Sequence, residues 1–212
     1  TKNLTTGFQP DLVWVKGRNA SLAGLMYDSV RGATKYLQVN SSNTEGTGSD
    51  SLTDFLGSGF SVGADTSTTG VNRDSSTDYV AWSWKAGGTP TSNDPAVEGS
   101  AMVDGTPTKI NDIKGSATIT PSKMSVNTKA GFSIVKYEGA SIEYATLPHG
   151  FNQKPDFITI KGLYGSGTTG GSGNQFNMSS DGSGWPVYHS SMGLTSAKLD
   201  GLDSFGSTTN NN

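Results

Sequence analysis

Two indoles and one charged pair are the side chains of this sequence whose types and spacing suit them to recognition chemistry. Trp82 and Trp84 stand two apart in the run Asp78-Tyr79-Val80-Ala81-Trp82-Ser83-Trp84-Lys85-Ala86. Side chains two apart on a strand point the same way, so both rings lie on one face with Val80. Two indoles in that arrangement either fill a core or form a platform on which a sugar ring stacks. Asp28 and Arg31 lie three apart around the segment that follows Tyr27. They are placed either to hold a ligand or to close that turn as an ion pair. Trp82, Trp84, Asp28 and Arg31 are therefore the candidate ligand-binding residues.

Catalytic and metal chemistry find less support. The carboxylate pairs Asp74/Asp78, Glu138/Glu143 and Asp200/Asp203 have the residue types of a glycosidase pair or a calcium site, but none forms a compact ligand loop. His149 and His189 lack carboxylate or histidine neighbours at metal-ligand spacing. Gly165 to Gly170 reads G-x-G-x-x-G, yet Gly171, Ser172 and Gly173 follow it, so the helix that such a motif needs at the pyrophosphate cannot start there. No G-x-S-x-G elbow and no P-loop is present. With 0 Cys the chain has no disulfide framework, thiolate metal site or cysteine nucleophile. The glycosylation acceptors at Asn3, Asn19, Asn40 and Asn177 are what 14 Asn among 54 Ser plus Thr would produce by chance. The expectation is a protein that is not an enzyme, with no catalytic residue, no metal and no cofactor.

Composition narrows the partners. A formal net charge of -3, with scattered Lys and Arg, argues against nucleic acid, whose binders carry a clustered basic face. The longest apolar run falls far short of the ~20 residues that span a bilayer, so no membrane insertion is expected. Hydrophobic residues make up only 32% of 212, but the low net charge separates this composition from that of a disordered chain. The balance is that of an all-β protein with many polar loops.

Positioning the candidate residues falls to strands. Asp11 to Lys16, bracketed by Gly7, Pro10 and Gly17, has the β-branched and aromatic content of a core strand, with Leu12, Trp14 and Lys16 on one face and Val13 and Val15 on the other. Leu25-Met26-Tyr27, Lys35 to Val39, Phe60 to Val62 and Gly131 to Tyr137 read as further strands. Apolar spacing at three and four residues is nowhere sustained, so little or no helix is expected.

The opening pattern returns. Gly7-Phe8-Gln9-Pro10-Asp11 corresponds to Gly150-Phe151-Asn152-Gln153-Lys154-Pro155-Asp156, Val13-Trp14-Val15 to Ile158-Thr159-Ile160, Leu25 to Ser29 to Pro186 to Ser190, and Leu37 to Leu199. The order of matches predicts tandem antiparallel β-sandwich domains of jelly-roll type: a first sandwich over 1–87, a linker or β-arm over 88–129, and a homologous, truncated second sandwich over 130–212.

Together GFQPDLVWVKGR, YDSVRG, YVAWSWKAGG, AGFSIVKYEG, LPHGFNQKPDFITIK and WPVYHSSMG resemble a repeat domain of tail-fibre and other structural proteins of marine bacteriophages, a unit similar to concanavalin A-like β-sandwiches. That resemblance implies an oligomeric structural or adhesion protein of a virion, most readily a tail fibre or appendage, partnered by other virion proteins and touching host-surface glycan. A free-standing carbohydrate-binding, lectin-like module and a capsid decoration protein are the alternatives.

Overall fold

Period-two apolar runs bounded by Gly, Pro and Ser become strands wherever a second layer covers them, and that rule organises the whole chain. The computed structural model describes residues 1–41, 43–65, 70–140, 144–164, 185–192 and 197–198. The first eight strands are β1 (Lys2–Thr5), β2 (Leu12–Gly17), β3 (Leu25–Asp28), β4 (Lys35–Gln38), β5 (Gly46–Thr47), β6 (Leu52–Leu56), β7 (Gly59–Val62) and β8 (Tyr79–Trp84). They form two antiparallel sheets, one ordered β5-β4-β3-β2-β8 and the other β1-β7-β6. Val13, Val15, Leu25 and Tyr27 of the larger sheet meet Leu52, Phe60 and Val62 of the smaller one, with Val71 from the following loop. The result is a two-layer sandwich. The run read as a core strand, β2, lies inside its sheet between β3 and β8.

Alternation along β2 fixes which residues this core takes. Val13 and Val15 are buried while Leu12, Trp14 and Lys16 are half-buried on the opposite face. A one-residue slip of β8 would exchange its two faces; its register sets Trp84 against Leu12, Trp82 against Trp14 and Val80 against Lys16. Both candidate indoles are thereby placed on the outer face, away from the sandwich core.

The segment expected to be a linker or β-arm carries a sheet and a core of its own. Strands β9 (Ala101–Val103), β10 (Thr106–Thr108), β11 (Lys123–Asn127) and β12 (Phe132–Lys136) pair in the order β10-β9-β11-β12, with β9 and β11 parallel. One turn of helix, α1 (Ile110–Ile113), covers them. Ala101, Ile110, Met124 and Val126 are buried together. Few large side chains are needed because the strands are short. The β11–β12 pairing also crosses the boundary drawn at 129/130. Asp104 and Gly105, with φ of 50° and 86°, join β9 to β10; two successive positive φ values are the mark of a type I′ hairpin turn.

Three further strands, β13 (Phe157–Thr159), β14 (Pro186–His189) and β15 (Ala197–Lys198), form an antiparallel sheet ordered β13-β14-β15. Trp185, just before β14, is buried against Leu37 and Val39 of the first sandwich. Apart from α1, the described helix is a single 3-10 turn at Ser190–Met192. The fold is thus nearly all β.

Candidate functional site

The outer face of the five-stranded sheet carries one continuous apolar row. Leu37 on β4 lies opposite Met26 on β3, Met26 opposite Trp14 on β2, and Trp14 opposite Trp82 on β8. Its two ends differ. At the β4 end Trp185 closes over Leu37 and Val39 and donates its Nε1–H to the Gln38 carbonyl at 3.2 Å, with the Lys161 ammonium 5.7 Å from its ring centroid. At the β8 end Trp82 is 44% and Trp84 38% exposed. Successive same-face residues on a strand lie about 7 Å apart, so the two rings make a short strip beside the half-buried Trp14.

Packing fixes that strip in place. The Trp14 and Trp82 ring centroids are 5.3 Å apart at an interplanar angle of 47°, a tilted pair of the kind that indole quadrupoles favour. Trp14 is held by Met26 beside it, and its Nε1–H is buried with no acceptor among the described residues. The Lys16 ammonium is turned away to the Leu22 carbonyl. What remains at the strip is aromatic and uncharged, with the exposed Lys85 next in the chain after Trp84. Such a surface binds through ring faces and desolvation rather than by ion pairing.

Asp28 and Arg31 belong to a different place. Their side chains are buried, with Arg31 Nε 2.5 Å from Asp28 Oδ2. The guanidinium also reaches Glu45 Oε2 at 3.3 Å and donates to the Met26 carbonyl at 3.0 Å, while Asp28 Oδ1 accepts the Arg31 backbone N–H at 2.8 Å. The turn after Tyr27 is closed by this cluster. Its charges are spent on one another, so the four candidate residues divide into two exposed indoles and one internal ion cluster. Glu45 was not singled out from the sequence, because the loop that carries it shows no pattern; only pairing with β4 brings it near Arg31.

Asp11 is a second residue the sequence did not single out. It is almost fully buried. Its Oδ1 accepts the Ser29 hydroxyl at 2.8 Å, and its Oδ2 accepts the backbone N–H groups of Ala86 at 2.8 Å and Gly88 at 3.1 Å. Burial nevertheless pushes its carboxyl above the usual carboxylate range, against the lowering effect of those hydrogen bonds. The contacts are all internal, and the carboxylate ties the end of β8 to the start of β2.

The remaining sequence candidates stay apart. Asp74 accepts from Ser76 and Thr77 of its own loop, which holds its carboxyl below the usual range. His149 Nδ1 accepts the Phe151 N–H at 3.1 Å, and His189 Nδ1 meets Ser191. Glu143, Asp200, Asp203 and the Gly165–Gly170 motif lie outside the described residues. Among the described residues no group of three or more His, Cys, Asp or Glu could hold a metal ion, and no helix is long and apolar enough to cross a membrane.

Residues 1–210 match the family model described as Domain of unknown function (DUF7483), so the chain belongs to that family. No curated protein and no solved structure matches the chain.

Proposed function

We propose that this member of the DUF7483 family is a non-enzymatic adhesion module that binds carbohydrate on the Trp82/Trp84 strip, and that it serves in a bacteriophage virion as part of a tail fibre or related appendage. The observation that carries the binding half is the exposure of two indoles on one face of a rigid sheet, at 44% and 38%. Large apolar side chains are exposed together at a cost in solvation, and an uncharged aromatic strip matches the apolar face of a pyranose ring. The Trp14 contact adds pre-organisation: Trp82 already has a tilted ring partner, so little side-chain freedom remains to be lost on binding. The virion setting rests on the motif resemblance alone.

The test is retention of the purified chain on immobilised bacterial surface polysaccharides, run beside Trp82→Ala and Trp84→Ala. The reading predicts retention that either substitution weakens at least tenfold, with the polysaccharide chain length unchanged after incubation. Equal retention of all three proteins would contradict the site, and shortening of the polymer would contradict the non-enzymatic assignment.

A further inference from the structure

A cavity of about 420 Å³ is bounded by the end of α1 and by residues 147–152, ahead of β13, and shares no residue with the indole strip. Its size is that of a small-molecule site, and every residue lining it is among the described ones. The floor is the outer layer of a packed core: Val103, Ile113 and Phe151 rest against Ala101, Ile110, Met124 and Val126. The wall formed by 147–152 is pinned at two points. Thr118 and Thr146 each donate their backbone N–H to the other's Oγ1, at 3.0 and 2.8 Å, and the Ile119 N–H donates to the Thr146 carbonyl at 3.0 Å. At Gly150 φ is 80°, and a Cβ there would lie 2.8 Å from Val126 Cγ1, so glycine is what lets the wall approach β11. A cavity held this way costs a ligand little ordering of the protein.

The polar groups lining it are donors. His149 Nδ1 accepts the Phe151 N–H at 3.1 Å, which leaves the neutral imidazole with its proton on Nε2. Neither that N–H nor the ammonium of Lys114, the C-cap of α1, has an acceptor among the described residues. No Asp or Glu is among the described residues lining the cavity; the two nearest in the chain are Asp104, which accepts the Thr128 N–H at 2.9 Å, and the exposed Asp112. Asn152 adds an amide that both donates and accepts. The His149 and Phe151 ring centroids are 5.1 Å apart, and Leu147 and Pro148 extend the apolar wall beside them.

We infer that this cavity is a second binding site, for a carboxylate-bearing sugar residue of the hexuronate class. A cationic, acid-free lining selects an anion. The carboxylate takes the Lys114 ammonium and the His149 Nε2–H, the ring hydroxyls take the Asn152 amide, and the C–H face of the sugar lies against Phe151. A bare phosphate would leave the Asn152 carbonyl and the aromatic wall without partners, and a neutral sugar would leave the ammonium without one. The site does not rest on the carbohydrate reading of Trp82 and Trp84.

The test is two-dimensional amide NMR of the isotope-labelled chain, titrated with sodium glucuronate or galacturonate at constant ionic strength. Expected are saturable shifts of the Gly150, Phe151 and Asn152 amide signals. Lys114→Met, which keeps the backbone bond from Lys114 to the Ile110 carbonyl, weakens this binding about tenfold, and so does glucose in place of the uronate. Absence of saturable shifts at those amides overturns the inference, as does glucose binding as tightly as glucuronate or a Lys114→Met variant that binds like the parent. Benzoate or inorganic phosphate moving these signals where neither hexuronate does would overturn the sugar assignment. Shifts confined to the indole N–H signals of Trp82 and Trp84 would place the sugar on the strip alone and overturn this site, whereas shifts at residues 150–152 with silent indole signals support it even where the strip reading fails.

Discussion

At the scale of the residue, the molecule separates side chains that face outward from those that answer to one another. Truncating Trp84 removes an exposed ring, and its cost in stability is under about 1 kcal/mol by equilibrium urea unfolding. Trp82→Ala also loses the Trp14 contact and costs about 1 kcal/mol more than its exposure alone implies. Arg31 behaves oppositely. Arg31→Ala leaves Asp28 and Glu45 buried without their counter-charge and destabilises the fold by about 3–5 kcal/mol, without a separate effect on carbohydrate binding in whatever fraction remains folded. A stability loss below about 1 kcal/mol would show that the cluster is solvated after all.

Asp11 gives this scale a pH signature. Its native pKa is raised by burial, so between the ordinary carboxylate range and that raised value the native chain holds a proton that the unfolded chain has released. Stability contributed by this group therefore falls as pH rises through that window. Asp11→Asn cannot release a proton, and although it is less stable, having one acceptor oxygen in place of the two that serve Ser29, Ala86 and Gly88, its urea midpoint lacks that descending component. A pH dependence identical in the two proteins would contradict the assignment. Nothing local announces this role: Asp11 reads as the first residue of a strand, and the two backbone donors that its Oδ2 accepts, Ala86 and Gly88, lie 75 and 77 positions away.

At the scale of the element, the junction between the sandwich and the following sheet is a tightly constrained piece of backbone. A Cβ on Gly87 would lie 2.0 Å from the Met102 carbonyl oxygen and 2.5 Å from that of Val126. Gly87 also donates its N–H to Ser125 Oγ at 3.0 Å and accepts from the Gly105 N–H at 3.0 Å. Backbone atoms on β9 and β11 have nowhere to go, so Gly87→Ala forces the strands apart and costs about 2–4 kcal/mol, the range of a severe core or strain mutation. Calorimetry checks this: the variant's transition moves down or splits, and an unchanged transition would contradict the packing. Strands with strict alternation, β2 and β8 above all, were legible from sequence because period two needs no knowledge of neighbours. The β9–β10 hairpin was missed even though Val-Asp-Gly-Thr is a strong turn signal; three-residue strands are too short for alternation to register beside it.

At the scale of the whole molecule, the class was legible and the boundaries were not. Low helix periodicity and many glycine-bounded runs pointed to an all-β sandwich. The sequence could not show that residues 101–136 form a sheet, because its core of Ala101, Ile110, Met124 and Val126 comes from three short segments, β9, α1 and β11, two of them joined by a parallel pairing that leaves no local trace. Nor could it show that Trp185 packs on Leu37 and Val39, a contact spanning most of the chain. For the candidate site, the pairing of Trp82 with Trp84 on one face was visible, whereas their exposure was not, since an identical pattern serves a buried face.

The strip formed by Trp82 and Trp84 is the centre of this account, and its most direct test is calorimetric titration of the chain with oligosaccharides cut from a polysaccharide that retains it, compared with the Trp82→Ala/Trp84→Ala double variant. Expected are saturable, enthalpically favourable binding to the parent chain, quenching or shift of its indole fluorescence on the same concentration scale, and loss of both in a double variant whose thermal transition lies close to the parent's. Binding that survives in the folded double variant would contradict it.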